Sequence, residues 1–167
     1  MRKYKGDIMR AIEKIINQCI VEKKVACVYH NSTDADVFWV GYILANEDGY
    51  VLMQDFDKKG RSEGIGLFKT EAVRMLEFGD EYSKNIENKI DPNEVENCYT
   101  ISDFWSRIIG TEQIVEIELL DNDDIDVKGK IIEQDGDLLH LIRINSSGKE
   151  DGEAFCQLSD ITMISTI

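Results

Sequence analysis

Asp121, Asp123, Asp124 and Asp126 crowd four carboxylates into six positions, a density that suggests calcium. A calcium loop needs an oxygen ligand at its fifth position, a turn glycine and a glutamate at its twelfth. Ile125 stands at the fifth place and the other two are missing, so the segment reads as a solvated turn. His30 and His140 are the only histidines, and each falls on a predicted strand with no serine or cysteine spaced to form a nucleophile pair. Cys19, Cys27, Cys98 and Cys156 are widely separated, without C-x-x-C or Cys/His zinc spacing, and read as buried free thiols. No glycine-rich phosphate loop or nucleophile elbow occurs. The expectation is no enzyme, no catalytic residue, no cofactor and no metal. What remains for ligand contact is a scatter of cations and rings. Lys58, Lys59 and Arg61, and Arg143 with Lys149, stand near the loops, but Asp55, Asp57, Glu63, Glu150, Asp151 and Glu153 surround them. Trp39, Phe38, Tyr42 and Tyr50 could stack on bases, or could be core on a strand of alternating burial. The candidate contacts are Trp39, Tyr50, Lys58, Lys59, Arg61, His140, Arg143 and Lys149.

The background for these residues is acidic. Among 167 residues, 33 Asp and Glu oppose 19 Lys and Arg, a formal net charge of −14. Such a field repels polyanions, which counts against nucleic acid unless a local basic patch survives. A hydrophobic content of 43% suffices for a packed core. The basic start (Arg2, Lys3, Lys5) is followed by apolar positions broken by Arg10, Glu13 and Lys14, so neither a signal-peptide core nor a membrane span is expected, and the expected compartment is the cytoplasm.

The elements that must position these groups come twice. Ile8, Ile12, Ile15, Ile16, Cys19 and Ile20 form a helical stripe with Asp7 as N-cap. Val25, Cys27 and Tyr29 then alternate as a half-buried strand. After a polar turn at 31–36, Val37 to Ala45 predicts a long strand, Asp48-Gly49 a hairpin, and Tyr50 to Phe56, Ile65 to Lys69 and Val73 to Phe78 three more strands. The second round has a helix with Ile101, Phe104, Trp105, Ile108 and Ile109 on one side, capped by Thr100, Asp103 and Gly110. A strand follows with Val115, Ile117 and Leu119 alternating, then a turn at 121–124, a strand from Ile125 to Glu133 and a hairpin at Asp135-Gly136. Gly41, Gly60, Gly64, Leu67, Val73 and Met75 match Gly129, Gly148, Gly152, Phe155, Ile161 and Met163 at an offset of 88, and Asp48-Gly49 matches Asp135-Gly136 at 87, which identifies a duplication. Tyr82, Ile86 and Ile90 mark a linker of one or two short helices, with Asp91-Pro92 restarting the chain. The expected organisation is 1–79, helix plus first barrel; 80–98, helical linker; 99–167, helix plus second barrel.

A nine-residue strand with a central glycine permits sharp bending, and five short strands can close around their apolar face. The stretch Gly129 to Asp135 with the ending Phe155 to Ile164 resembles the two signatures of the Sm-like family. The resemblance implies a mainly β protein with α-helices: two tandem Sm-like (SH3-like) five-stranded β-barrels, each preceded by an N-terminal helix. RNA-binding members carry an asparagine where this chain has Leu52 or Leu139, and a basic element where it has Thr70-Glu71-Ala72 or Leu158-Ser159-Asp160. The family's base-reading set is therefore not carried over. The expected function is a non-enzymatic interaction or scaffold protein binding a protein partner, partly through exposed short last strands; the alternative is an Sm-like RNA-binding protein. Family pairing of fourth and fifth strands also implies self-association, as a dimer or as a trimer forming a six-barrel ring.

Overall fold

The computed structural model describes residues 2–30, 37–120 and 122–167, with side chains described from residue 11 onward except at 122–125. The turn expected at 31–36, Asp121 and the side chains of Asp7, Ile8, Asp123 and Asp124 lie outside the described residues. The chain divides into two compact units, Met1–Ile101 and Ser102–Ile167.

In the first unit, helix α1 (Arg2–Val21) precedes strands β1 (Val25–Tyr29), β2 (Trp39–Glu47), β3 (Tyr50–Phe56), β4 (Ser62–Lys69) and β5 (Met75–Phe78). Helix α1 starts five residues before Asp7, so Asp7 is internal to the helix and not its cap. Ile16 and Cys19 are buried, whereas Ile15 faces solvent despite its place on the predicted stripe. A type I′ turn at Asp48 (φ 52) and Gly49 (φ 80) joins β2 to β3, as the Asp-Gly pair demands. Helix α2 (Glu81–Glu87), with Asp80 accepting from the Ser83 N–H as its N-cap, and a 3-10 turn at Pro92–Glu94 complete the unit.

The second unit repeats this with α3 (Ile101–Ile108, one residue of which lies across the boundary), β6 (Val115–Leu119), β7 (Asn122–Asp135), β8 (Leu138–Ile144), β9 (Glu150–Gln157) and β10 (Ile161–Thr166). Strand β7 begins earlier than expected and takes in residues 122–124 that had read as a turn. The second hairpin loop is Gly136-Asp137, because Asp135 pairs with Leu138 in the ladder. Only Gly136 (φ 58) is left-handed there, which fits a turn with glycine first, type II′. The two hairpins thus align at an offset of 88, not 87, and reach the same place with different turn chemistry.

Register confirms that alignment. Gly41 lies opposite Asp55 and Gly129 opposite Arg143. A Cβ at Gly41 would collide with the Gln54 carbonyl oxygen, and one at Gly129 with the Ile142 carbonyl oxygen, so both glycines permit the same close approach of neighbouring backbones. Each copy also has a bulge in the same place, between Ile43 and Ala45 and between Ile131 and Glu133.

The expectation of two closed five-stranded barrels is overturned. Strand order is β5-β1-β2-β3-β4 in the first unit and β10-β6-β7-β8-β9 in the second, both antiparallel and open, with no pair joining the last strand to the first. In the first unit the apolar faces are covered by other elements, which removes the need for closure. Ile86 of α2, Ile90 and Val95 pack on Val25, Cys27, Val40, Tyr42 and Phe56. The linker segment is therefore a strap across one face of the first sheet. That cover explains why β1 is buried along both faces instead of alternating as predicted, with Ala26 and Val28 inaccessible as well.

Candidate interaction surface

The face under the strap, here called the outer face, has a counterpart in the second unit. Ala26 pairs with Gly41 and Val115 with Gly129, so Val115 and Ile117 answer to Ala26 and Val28, while Glu116 answers to Cys27. The alternating triads Val25/Cys27/Tyr29 and Val115/Ile117/Leu119, which look equivalent in sequence, therefore lie on opposite faces. Along β7, Lys128 and Lys130 take the places of Val40 and Tyr42; along β8, His140 and Ile142 take those of Leu52 and Gln54; along β9, Phe155 takes that of Leu67. Val40, Leu52, Gln54 and Leu67 are buried, whereas Glu116 and Lys128 are exposed and His140 and Ile142 half-exposed.

On the β8–β9 side of this second outer face, Leu138, His140 and Ile142 alternate along β8 with Gln157, Phe155 and Glu153 opposite them. Phe155 is 60% exposed and stacks on His140, with ring centroids 4.5 Å apart and planes 9° from parallel. His140 Nε2 lies 3.2 Å from Glu153 Oε1, and Nδ1 lies 3.7 Å from Glu133 Oε1. The two carboxylates flank the ring, whose face lies against Phe155. Lys130 bonds Glu112 at 2.6 Å and lies 3.8 Å from Glu150, and these contacts raise its pKa, with the Glu112 hydrogen bond foremost. The result is an apolar patch flanked by carboxylates, and Lys130 already matches part of the negative charge around it.

The first unit holds the other candidate residues apart from this face. Trp39 packs over Gly66, where a Cβ would strike its ring, and meets His30 and Phe68 edge-on at 6.0 and 6.4 Å. It is a packing residue. Tyr50 borders a shallow depression with Glu13, Lys69 and Glu71. Lys58, Lys59 and Arg61 sit in the exposed β3–β4 loop, which Asp57 organises. Its carboxylate accepts from the backbone N–H groups of Arg61 (2.9 Å) and Lys59 (2.8 Å) and pairs with the Arg61 guanidinium at 2.7 Å. The Arg61 amide, ahead of that guanidinium and the Lys59 amide, draws the Asp57 carboxyl down to about 2. Arg143 and Lys149 are exposed, with the Lys149 N–H donating to Asn145 Oδ1. Of the eight candidates, only His140 lies on the β8–β9 side of the second outer face.

Sequence reasoning did not place Phe155, Glu133, Glu153 or Leu138 among the candidate contacts. The signal lay in the repeat itself: where one copy has valine, tyrosine and leucine, the other has lysine, lysine and an exposed ring.

Two buried groups set the chemistry of the first unit. Asp55 accepts from the Val40 N–H at 2.9 Å, yet burial, with Glu63 adding to it, pushes its carboxyl up to about 7. Gln54, fully buried, donates to the Glu94 carbonyl (2.8 Å) and Ser62 Oγ (2.9 Å) and accepts from the Glu96 N–H (2.9 Å). It pins the strap to the sheet. All four cysteines are free and buried; desolvation raises the Cys27 thiol to about 11 and those of Cys19 and Cys156 in the same direction, which makes them poor nucleophiles. Among the described residues, no helix is long and apolar enough to cross a membrane, and no three or more acidic, cysteine or histidine side chains are grouped to hold a metal. Leu52 and Leu139, which stand where the Sm-like resemblance would place an asparagine, are both fully buried, and in register Leu52 answers to His140 rather than to Leu139. No family model, curated protein or solved structure matches the chain.

Proposed function

We propose that the chain is a non-enzymatic interaction protein that binds a protein partner through the outer face of its second sheet. One observation carries this reading: the outer face, part of which lies beneath a strap in the first copy, presents Phe155 and Leu138 to solvent in the second. Exposed rings and aliphatic side chains surrounded by charged ones are the usual anatomy of a protein-binding patch. The buried thiols suit a reducing, cytoplasmic setting. Self-association belongs to the same reading, because β5 and β9 each hydrogen-bond to a single neighbour and leave an edge that another strand can extend. Light scattering showing a mass above the 19.1 kDa monomer would support that part.

A photocrosslinking amino acid placed at position 155, with position 84 on the exposed side of α2 as control, tests the main reading in cells. A discrete protein adduct from 155 alone is the expected result. Adducts to RNA would favour the nucleic-acid reading, and adducts from neither position would remove the proposed face.

A further inference from the structure

We infer that the occupant of the second outer face is a basic, amphipathic segment of a partner protein, laid along its β8–β9 side. The inference rests on the interaction reading above and adds the chemistry of the partner.

The first unit shows what covers such a face. A short helix and an extended stretch present Ile86, Ile90 and Val95 to the sheet, while backbone groups of Glu94 and Glu96 bond to Gln54. The second face has the same strand order and register, with Leu138, Ile142 and Phe155 available to receive aliphatic side chains. Its electrostatics differ. Residues 102–167 hold 15 Asp and Glu against 5 Lys and Arg, a formal charge of −10, whereas residues 1–101 hold 18 against 14, a formal charge of −4. On the face itself stand Glu116, Glu133 and Glu153 against Lys128 and Lys130, the latter occupied by Glu112 and Glu150, so carboxylates outnumber free cations there.

The strap, residues 80–98, has six acidic residues and two lysines. A strap from a second copy would therefore meet like charge, which disfavours exchange between copies as the source of the cover. Lysines or arginines flanking aliphatic positions at helical spacing match both parts of the face: apolar patch to apolar stripe, flanking carboxylates to cation.

The probe is a synthetic peptide with the sequence of residues 80–98 in which all six acidic residues are lysine. It is titrated into the full chain in parallel with the unaltered acidic peptide, by calorimetry at fixed salt. The expected result is saturable binding of the lysine peptide, no binding of the acidic one, and at least a tenfold loss of affinity in Phe155→Ser and in Leu138→Ser. Circular dichroism of both variants checks that they fold. Absence of binding, equal binding of the two peptides, or binding that both variants leave intact overturns the inference, the last because it would be charge attraction without the face. A protein adduct at position 155 together with a lysine peptide that does not bind would retain the interaction reading and reject the basic segment. Loss of both would reject the two together.

Discussion

Val40, Tyr42 and Gln54 in the first sheet, and Lys128, Lys130 and Ile142 in the second, occupy matched places around the same invasive approach of backbone at Gly41 and Gly129. In the first sheet these positions lie under Ile86, Ile90 and Val95, with Gln54 making three hydrogen bonds, two of them to the strap's main chain. In the second they meet solvent or lie half-covered. Backbone pairing has been kept while the chemistry of one face has diverged. A sheet's fold and a sheet's surface can therefore change independently, since the ladder needs only main-chain groups and one well-packed face.

Exchanging matched residues is the direct way to break this comparison, and the largest effect is expected from Val40→Lys. Val40 is 5% exposed, so a lysine there must bury an ammonium or displace the strap, at a cost of about 3–5 kcal/mol. Urea denaturation measures it, and a loss below about 1 kcal/mol would mean that the strap is loosely held.

Asp55 gives the next effect, and its sign depends on pH. In the folded chain the carboxyl titrates near 7, against an ordinary 3.8, so the native state holds a proton that the unfolded state releases between those values. Below the unfolded value both states are protonated and the burial carries no ionisation penalty; between about pH 4 and 7 the penalty grows to about 4 kcal/mol, and above 7 it stays constant. Asp55→Asn keeps an acceptor for the Val40 N–H and removes the charge. The variant should be more stable than the parent at pH 8, and the difference should vanish at pH 4. Equal stability at both pH values would show that the carboxylate is solvated. Arg143, its exposed counterpart, should tolerate Arg143→Gln without any such pH dependence.

Gln54→Ala should cost about 2 kcal/mol, because the Glu94 carbonyl and the Glu96 N–H lose their partner under cover. Hydrogen exchange should accelerate across 81–97 more than in β1–β3. Uniform acceleration would mean that the strap and the sheet open together. The smallest effect is reserved for Lys128→Val, the reverse of the first exchange, where an exposed position should change stability by no more than about 0.5 kcal/mol. A large gain there would show that the second outer face is already covered.

The duplication, the order of helix and strands and both hairpin sites were legible from residue pattern, because period and turn chemistry act locally. Asp48-Gly49 and Gly41 could be read as turn and close approach for reasons that need no knowledge of what packs nearby. The one-residue shift at Gly136-Asp137 was not legible, since an Asp-Gly pair is a good turn in two registers and the ladder between Asp135 and Leu138 selects one. Closure into barrels was the larger error: the number and length of strands permit it, but whether a sheet closes depends on what else can cover its apolar face.

Of the candidate site, His140 was identified from residue type, and Phe155 was read only as the match of Leu67 and as the start of the second signature. Val25, Cys27 and Tyr29 looked like the partners of Val115, Ile117 and Leu119 because alternation reveals which residues share a face but not which of the two faces it is. By itself the sequence determined the two copies, their acidic balance and the thiols that stay unpaired. Tertiary structure alone decided that the linker crosses the first sheet, that Trp39 lies over Gly66, and that Phe155 meets water where Leu67 does not, because each of these depends on contacts between segments far apart along the chain.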